Sequence, residues 1–220
     1  MLAAVKSGRV VQPEPFDEVT VFVATIVGLD ELALQMTSDE VDDLFDRLFS
    51  AFDALASAYG IFKISTGADD TYMVVAGLPD PSSDHCENLA RFALAAVACA
   101  KATLVKGPDD MSLGYVSIRA GLATGRCVAS VIGRVNPRFA LFGDASAMAS
   151  RLESHGMEDR IHISKEVATR LELRASELYS KQVVPRGSVL IRGELSLGLG
   201  RPVYRYLDLP RAPFFLLFVL

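Results

Sequence analysis

A cysteine beside a histidine is the first place to look for nucleophilic chemistry, and Cys86 directly follows His85. A working thiolate–imidazole pair needs a third group to orient the base. None stands nearby, and the loop-like stretch Pro79–Asp84 places the pair in a turn. His155 and His162 are scattered, with no partner four residues away. They read as surface or packing histidines rather than ligands or catalysts. Cys86, Cys99 and Cys127 form no CxxC pair, which argues against a disulfide framework or a zinc site and fits a reducing compartment. The glycine-rich words match neither a Walker loop nor a dinucleotide-binding turn. Met36, Met73, Met111 and Met148 read as core or interface filler. Asp69 and Asp70, adjacent in a short polar turn, read on their own as solvated turn residues.

Composition narrows the classes further. The chain has 220 residues, 50% of them apolar and 22% charged, with a formal net charge of −5. That length suits one domain with a sizeable core. The mild acidity argues against a phosphate-backbone binder, so no nucleic-acid partner is expected. Met1–Val10 lacks an apolar stretch and does not read as a signal peptide. The run Phe92–Ala100, fenced by Arg91 and Lys101, falls far short of the ~20 residues that a spanning helix needs. Pro213–Leu220 reads PFFLLFVL. It is either a strand or tail packed on the core, or the end of a longer product, or a docking patch for a partner or a lipid surface. Membrane contact through this tail stays open.

Positioning falls to an alternation of strands and helices. Val19–Val27 is uncharged and β-branched, which predicts a buried central strand ended by Gly28. Thr37-Ser38-Asp39-Glu40 has capping-box spacing, and the apolar steps from Val41 to Leu55 predict a long amphipathic helix. Ile61–Ser65 and Thr71–Ala76 read as a hairpin around Thr66–Asp70. Glu87–Leu104 reads as an alanine-rich helix and Gly107–Asp110 as a turn. Ser117–Ala123 and Cys127–Ile132 read as a strand pair around Thr124-Gly125, and Pro137–Phe142 as a short strand. Ala145–His155 reads as a helix with Asp144 as N-cap. Arg160–Ser164 reads as a strand, Lys165–Leu173 as a helix, and Val189–Arg192 with Val203–Leu207 as a closing strand pair. The order suits an α/β sandwich: one sheet with helices on one face and the other face available.

Local words say more. Asp17–Gly28 reads DEVTVFVATIVG, Thr71–Pro79 TYMVVAGLP, Arg119–Gly125 RAGLATG, Gly133–Phe142 GRVNPRFALF and Phe139–Ser154 FALFGDASAMASRLES. Gly8–Val19 (GRVVQPEPFDEV) fits the segment that leads into them. In order and separation these words resemble the catalytic domain of class III nucleotidyl cyclases, closest to the receptor-type and soluble guanylate cyclases. The resemblance covers residues 8–209. It leaves out the apolar tail and Arg174–Arg186, which reads as a longer loop than the family shows. It implies a ferredoxin-like β-α-β-β-α-β core, a lead-in over residues 1–18, the cyclase domain over 19–209 and a tail over 210–220. It also implies a dimer that converts a nucleoside triphosphate to a cyclic 3′,5′ monophosphate across its interface. One subunit gives two aspartates for two Mg²⁺ or Mn²⁺ ions. The other gives base-reading residues, a transition-state Asn and Arg, and a phosphate-binding Lys. Metals with triphosphate demand carboxylate oxygens, and arginine matches phosphate oxygens.

Slot by slot, most of this machinery is replaced. The first metal aspartate is Thr25, although Ile26 still offers a backbone carbonyl. The second is Asp70 counted back from Tyr72, or Asp69 counted forward from Ile61. The purine slots hold Ser65 and Ala140. The Asn slot is Ala147. The Arg slot keeps Arg151, which reads either as a surviving catalytic group or as an arginine paired with Glu153 or Asp144. The phosphate-lysine turn is Leu197-Gly198-Leu199-Gly200, with Arg201 one residue on. Losing one transition-state donor costs about 100–1000-fold in rate. Several losses together predict no measurable turnover, and no cofactor is expected unless activity survives with Mg²⁺ or Mn²⁺. A heterodimer does not rescue the chain, since neither half of its machinery is intact. Three readings follow: a dimerising regulatory or structural module that has lost catalysis, paired with itself or another cyclase domain; a divergent cyclase that uses Asp69 with Asp70; and a non-catalytic nucleotide or small-molecule sensor. All three place the chain in the cytosol or on the cytosolic side of a membrane assembly.

Overall fold

The computed structural model describes residues 12–64, 70–133, 138–174, 183–188 and 203–207. Its centre is β1 (Glu14–Ile26), buried on both faces from Val19 onward except at half-buried Thr25. Phe22, Ala24 and Ile26 face one apolar layer, and Val19, Val21 and Val23 face the other. An uncharged run is what a strand covered on both sides requires. β1 starts earlier than Val19, because its first residues pair with the distant segment Cys127–Ala129 across a register shift between Phe16 and Val19. Gly28, at φ 70°, turns the chain into a short helix α1 (Leu29–Ala33), for which the sequence carried no signal.

Helix α2 (Ser38–Ala58) begins with the expected capping box. The Glu40 amide donates to the Thr37 hydroxyl at 3.3 Å, and the Thr37 amide donates to the Glu40 carboxylate at 2.7 Å. Strands β2 (Phe62–Ile64) and β3 (Thr71–Ala76) pair antiparallel, as a hairpin does. Helix α3 (His85–Ala102) ends before Leu104, which opens a separate two-stranded ribbon of β4 (Leu104–Lys106) and β5 (Ser112–Tyr115). The expected turn between them is a 3₁₀ segment, Pro108–Asp110.

β6 (Ile118–Ile132) corrects the expected strand pair. It runs unbroken through Thr124-Gly125, because β1 pairs with it there, Thr20 with Thr124 and Val19 with Gly125. The Thr124 hydroxyl also donates to the Val19 carbonyl at 3.0 Å. The chain then forms β7 (Arg138–Gly143), α4 (Asp144–Ser154), β8 (Ile161–Ile163), α5 (Lys165–Arg174), β9 (Val183–Ser188) and β10 (Val203–Leu207). β9 occupies part of the expected loop, at the sheet edge, where Pro185 is tolerated. The expected strand Val189–Arg192 lies outside the described residues.

The sheet order is β2-β3-β1-β6-β8-β10-β9, with β7 on β6. The expected β-α-β-β-α-β core runs as β1-α2-β2-β3-α3-β6. Helices α2, α3 and α5 bury Leu48, Phe92 and Val167 in one layer. The opposite face is not left free, contrary to expectation. Ala145, Ala149 and Leu152 of α4 cover it against Val21, Val23 and Ala123. Phe92 is fully buried and meets Phe22 edge to face, with ring centroids 5.4 Å apart. Phe92→Ala is expected to cost about 3–5 kcal/mol in denaturant unfolding.

Candidate functional site

Thr25 is the penultimate residue of β1, on the face that α4 covers, opposite Thr71 of β3 and Arg119 of β6. Its hydroxyl donates to Oε1 of Glu153 on α4. Arg119 Nε donates to the same oxygen at 3.1 Å. Glu153 is only 7% exposed. A carboxylate buried that far needs compensating donors, and it has one neutral donor and one cation. Sequence reasoning placed Glu153 only as a partner for Arg151. Helix geometry forbids that pairing, since two residues along an α-helix point about 200° apart. The glutamate turns inward and the arginine outward.

Two glycines set α4 against the sheet. A Cβ at Gly121 would lie 2.1 Å from the Ala149 carbonyl oxygen and 2.5 Å from the Glu153 amide nitrogen. Gly143 takes φ 139°, and a Cβ there would meet the Arg126 carbonyl at 2.5 Å. Gly143 is also the N-cap. Asp144 sits inside the first turn and caps nothing, contrary to expectation. The N-terminal turn is tied instead by the Ser146 hydroxyl, which donates to the Gly143 carbonyl at 3.0 Å. Ala147 is exposed and Arg151 half-buried, one turn apart on the side of α4 away from Ala145, Ala149 and Leu152. Among the described residues no acid pairs with Arg151. Ala140 is half-buried on β7, opposite Ser130.

Asp70 precedes β3 and accepts a hydrogen bond from the Thr71 hydroxyl at 3.3 Å. Ile26 is buried. Tyr72 is buried and donates to Asp53 Oδ1 at 2.7 Å, while Lys63 reaches Asp53 Oδ2 at 2.8 Å. Burial first, then the Asp53 hydrogen bond and charge, push the Tyr72 phenol far above its ordinary value. Ser65, Asp69, Leu197, Leu199 and Arg201 lie outside the described residues.

The remaining nucleophile candidates are packed away. His85 and Cys86 open helix α3 rather than lying in a turn, and both are buried. Nδ1 of His85 shares a hydrogen bond with the Thr20 hydroxyl at 2.7 Å. Nδ1 of His162 donates to the Leu152 carbonyl at 2.9 Å. Burial raises the Cys99 and Cys127 thiols, which disfavours the nucleophilic thiolate.

Among the described residues, the donors around Thr25 do not fit a pair of divalent cations. Such ions take several carboxylate oxygens. Thr25 offers none, and the nearby carboxylate of Glu153 is engaged by Thr25 and Arg119. Among the described residues, no group of three or more His, Cys, Asp or Glu is gathered as a metal site.

The pattern model for the adenylate and guanylate cyclase catalytic domain matches residues 11–204. The chain belongs to this family. It is 35% identical over 198 residues to receptor-type guanylate cyclase gcy-19 of Caenorhabditis briggsae, covering 90% of this chain and 16% of that protein. The cyclase-family chain therefore spans about a sixth of the length of such curated relatives. The guanylate cyclase domain of RhGC from Catenaria anguillulae, solved with GTP, superposes with a TM-score of 0.76 at 26% identity. That match covers 89% of this chain and 98% of that one. The dimeric guanylyl cyclase domain of the RhoGC fusion protein from Blastocladiella emersonii gives 0.73 at 25%, over 88% and 97% of the two chains.

Proposed function

We propose that this chain is a cyclase-family module that pairs with a second cyclase-type domain, its own copy or another, and does not cyclise nucleotides. The observation that carries this reading is the state of the first metal position. A neutral threonine stands there, and its hydroxyl is spent on Glu153. Ala140, Ala147, Leu197 and Leu199 remove polar groups from the base, transition-state and phosphate positions, with Ser65 at the other base slot. Arg151 with Asp70 or Asp69, and the Ile26 carbonyl, are what survives. Neither set supplies the charge that phosphoryl transfer needs.

Pairing is supported by the two sides of α4. Glu153 points into the chain and the Ala147–Arg151 side points out, so a complete site of the family's kind would join two chains. The β6–β7 ribbon carries an exposed apolar patch: Phe142 is 52% exposed, Ile132 51% and Val128 38%. Val128 and Phe142 are cross-strand partners on the ribbon. Apolar surface of this kind suits a protein partner. Among the described residues no helix is long and apolar enough to cross a membrane. Several relatives are receptor-type cyclases, which supports a place on the cytosolic side of a membrane assembly.

The test is a cyclase assay on the purified chain with Mn²⁺ and GTP or ATP, read by mass spectrometry. The expected result is no cyclic product. Cyclic GMP or cyclic AMP above background overturns the reading in favour of a divergent cyclase. Saturable thermal stabilisation by nucleotide without product would recast the module as a sensor.

A further inference from the structure

We propose that Thr25, Glu153 and Arg119 form a metal-independent clasp that holds α4 on the sheet, with the Thr25 hydroxyl and the Arg119 guanidinium meeting the Glu153 carboxylate where the family's metal position lies. The inference rests on the reading of Thr25 as that emptied position. It goes further by giving the threonine a task rather than recording a loss.

The three residues come from three elements: β1, β6 and α4. Both donors converge on one oxygen, Oε1 of Glu153. Ala149, one turn earlier on the same helix, lies in close backbone contact with Gly121 of β6. The clasp therefore sits at the end of α4 that already touches the sheet most closely. An aspartate at position 25 would set a second carboxylate at hydrogen-bond range from Glu153. Like charges that close repel, and removing the donor would strip a buried carboxylate of half its partners. A bound divalent cation can relieve such repulsion. A threonine removes it and adds a donor, so α4 keeps its place with no cation present. Arg151 and Ala147 ride on the same helix, so the clasp also fixes the side of α4 offered to a partner.

The experiment is a double-mutant cycle in EDTA on the full chain: native, Thr25→Asp, Glu153→Gln and the double variant. Thermal melting and amide hydrogen exchange by mass spectrometry are the readouts. Thr25→Asp is expected to lower Tm by about 5 °C or more. In that background Glu153→Gln should recover part of the loss, although alone it lowers Tm. Amide exchange in Met148–Ser154 should rise at least about tenfold in Thr25→Asp, while Leu89–Val97 of α3 stays at the native rate. A Thr25→Asp protein that melts and exchanges like the native one overturns the clasp, and so does an additive cycle. Should Thr25→Asp fail to fold, Thr25→Val keeps the shape and deletes the donor. Native-rate exchange of α4 in that variant overturns the proposal equally. Cyclic product in the assay above would sink the non-catalytic reading and leave these stability results standing. An additive cycle would sink the clasp alone.

Discussion

Gly121→Val is expected to abolish the native fold at physiological temperature. Any side chain there begins 2.1 Å from the Ala149 carbonyl oxygen and 2.5 Å from the Glu153 amide. Both are backbone atoms of α4, so no rotamer change relieves the contact. Overpacking usually costs about 1–3 kcal/mol, because neighbouring side chains give way. Here the helix itself must lift, taking Ala145, Ala149 and Leu152 out of their layer. The loss should therefore exceed about 3 kcal/mol, a large part of the stability of a domain this size. Gly125→Ala is the control. Its Cβ would meet its nearest neighbour, the Ala145 amide nitrogen, at 3.6 Å, an ordinary contact on the same strand. Circular-dichroism melts should show Gly125→Ala close to native and Gly121→Val without a cooperative transition. A native melt for Gly121→Val would mean that α4 does not sit where it is described.

Phe142→Asp is expected to weaken self-association or pairing with another cyclase domain by at least about 100-fold. The ring is 52% exposed beside its cross-strand partner Val128. Aromatic residues at the centre of an interface commonly carry more than 2 kcal/mol, and about 2.7 kcal/mol is a hundredfold in Kd. An aspartate there would also bury an unpaired charge on docking. The isolated domain should fold as before, because the substituted ring is half in solvent. Sedimentation velocity across a concentration series separates the two effects. An unchanged association constant would move the interface off this ribbon.

How far the sequence carried depended on the range of the contact. The apolar run of β1, the capping box of α2 and the strand Thr71–Ala76 are local patterns, and each appeared as read. That Thr25 sits near the end of β1 was legible too, from the uncharged run it belongs to. Its partner was not, since Glu153 lies 128 residues further on. The inward turn of Glu153 depends on which face of α4 packs, and Arg151 looked an equally good mate on paper. Thr124-Gly125 has the chemistry of a turn, yet pairing with Thr20 and Val19 of β1 holds β6 straight through it. β9 contains Pro185 and Gly187, which hide its strand character, and only the edge position makes them acceptable. The uncovered face was misjudged for a related reason. A strand apolar on both sides already signals two covers, and the second was α4.

The pairing of β1 with β6 also shapes how the chain is made. Thr20 meets Thr124 across 104 residues of sequence. Ribosomes add about 5–20 residues per second, so β1 waits roughly 5–20 s for its central neighbour to be synthesised. During that wait its uncharged stretch can be covered on one edge by β3 and on one face by α2 and α3, while the edge meant for β6 stays open. An open apolar edge is an invitation to pair with another nascent chain. Yield during synthesis is therefore set by how well the β1–β3 half shelters that edge until β6 arrives.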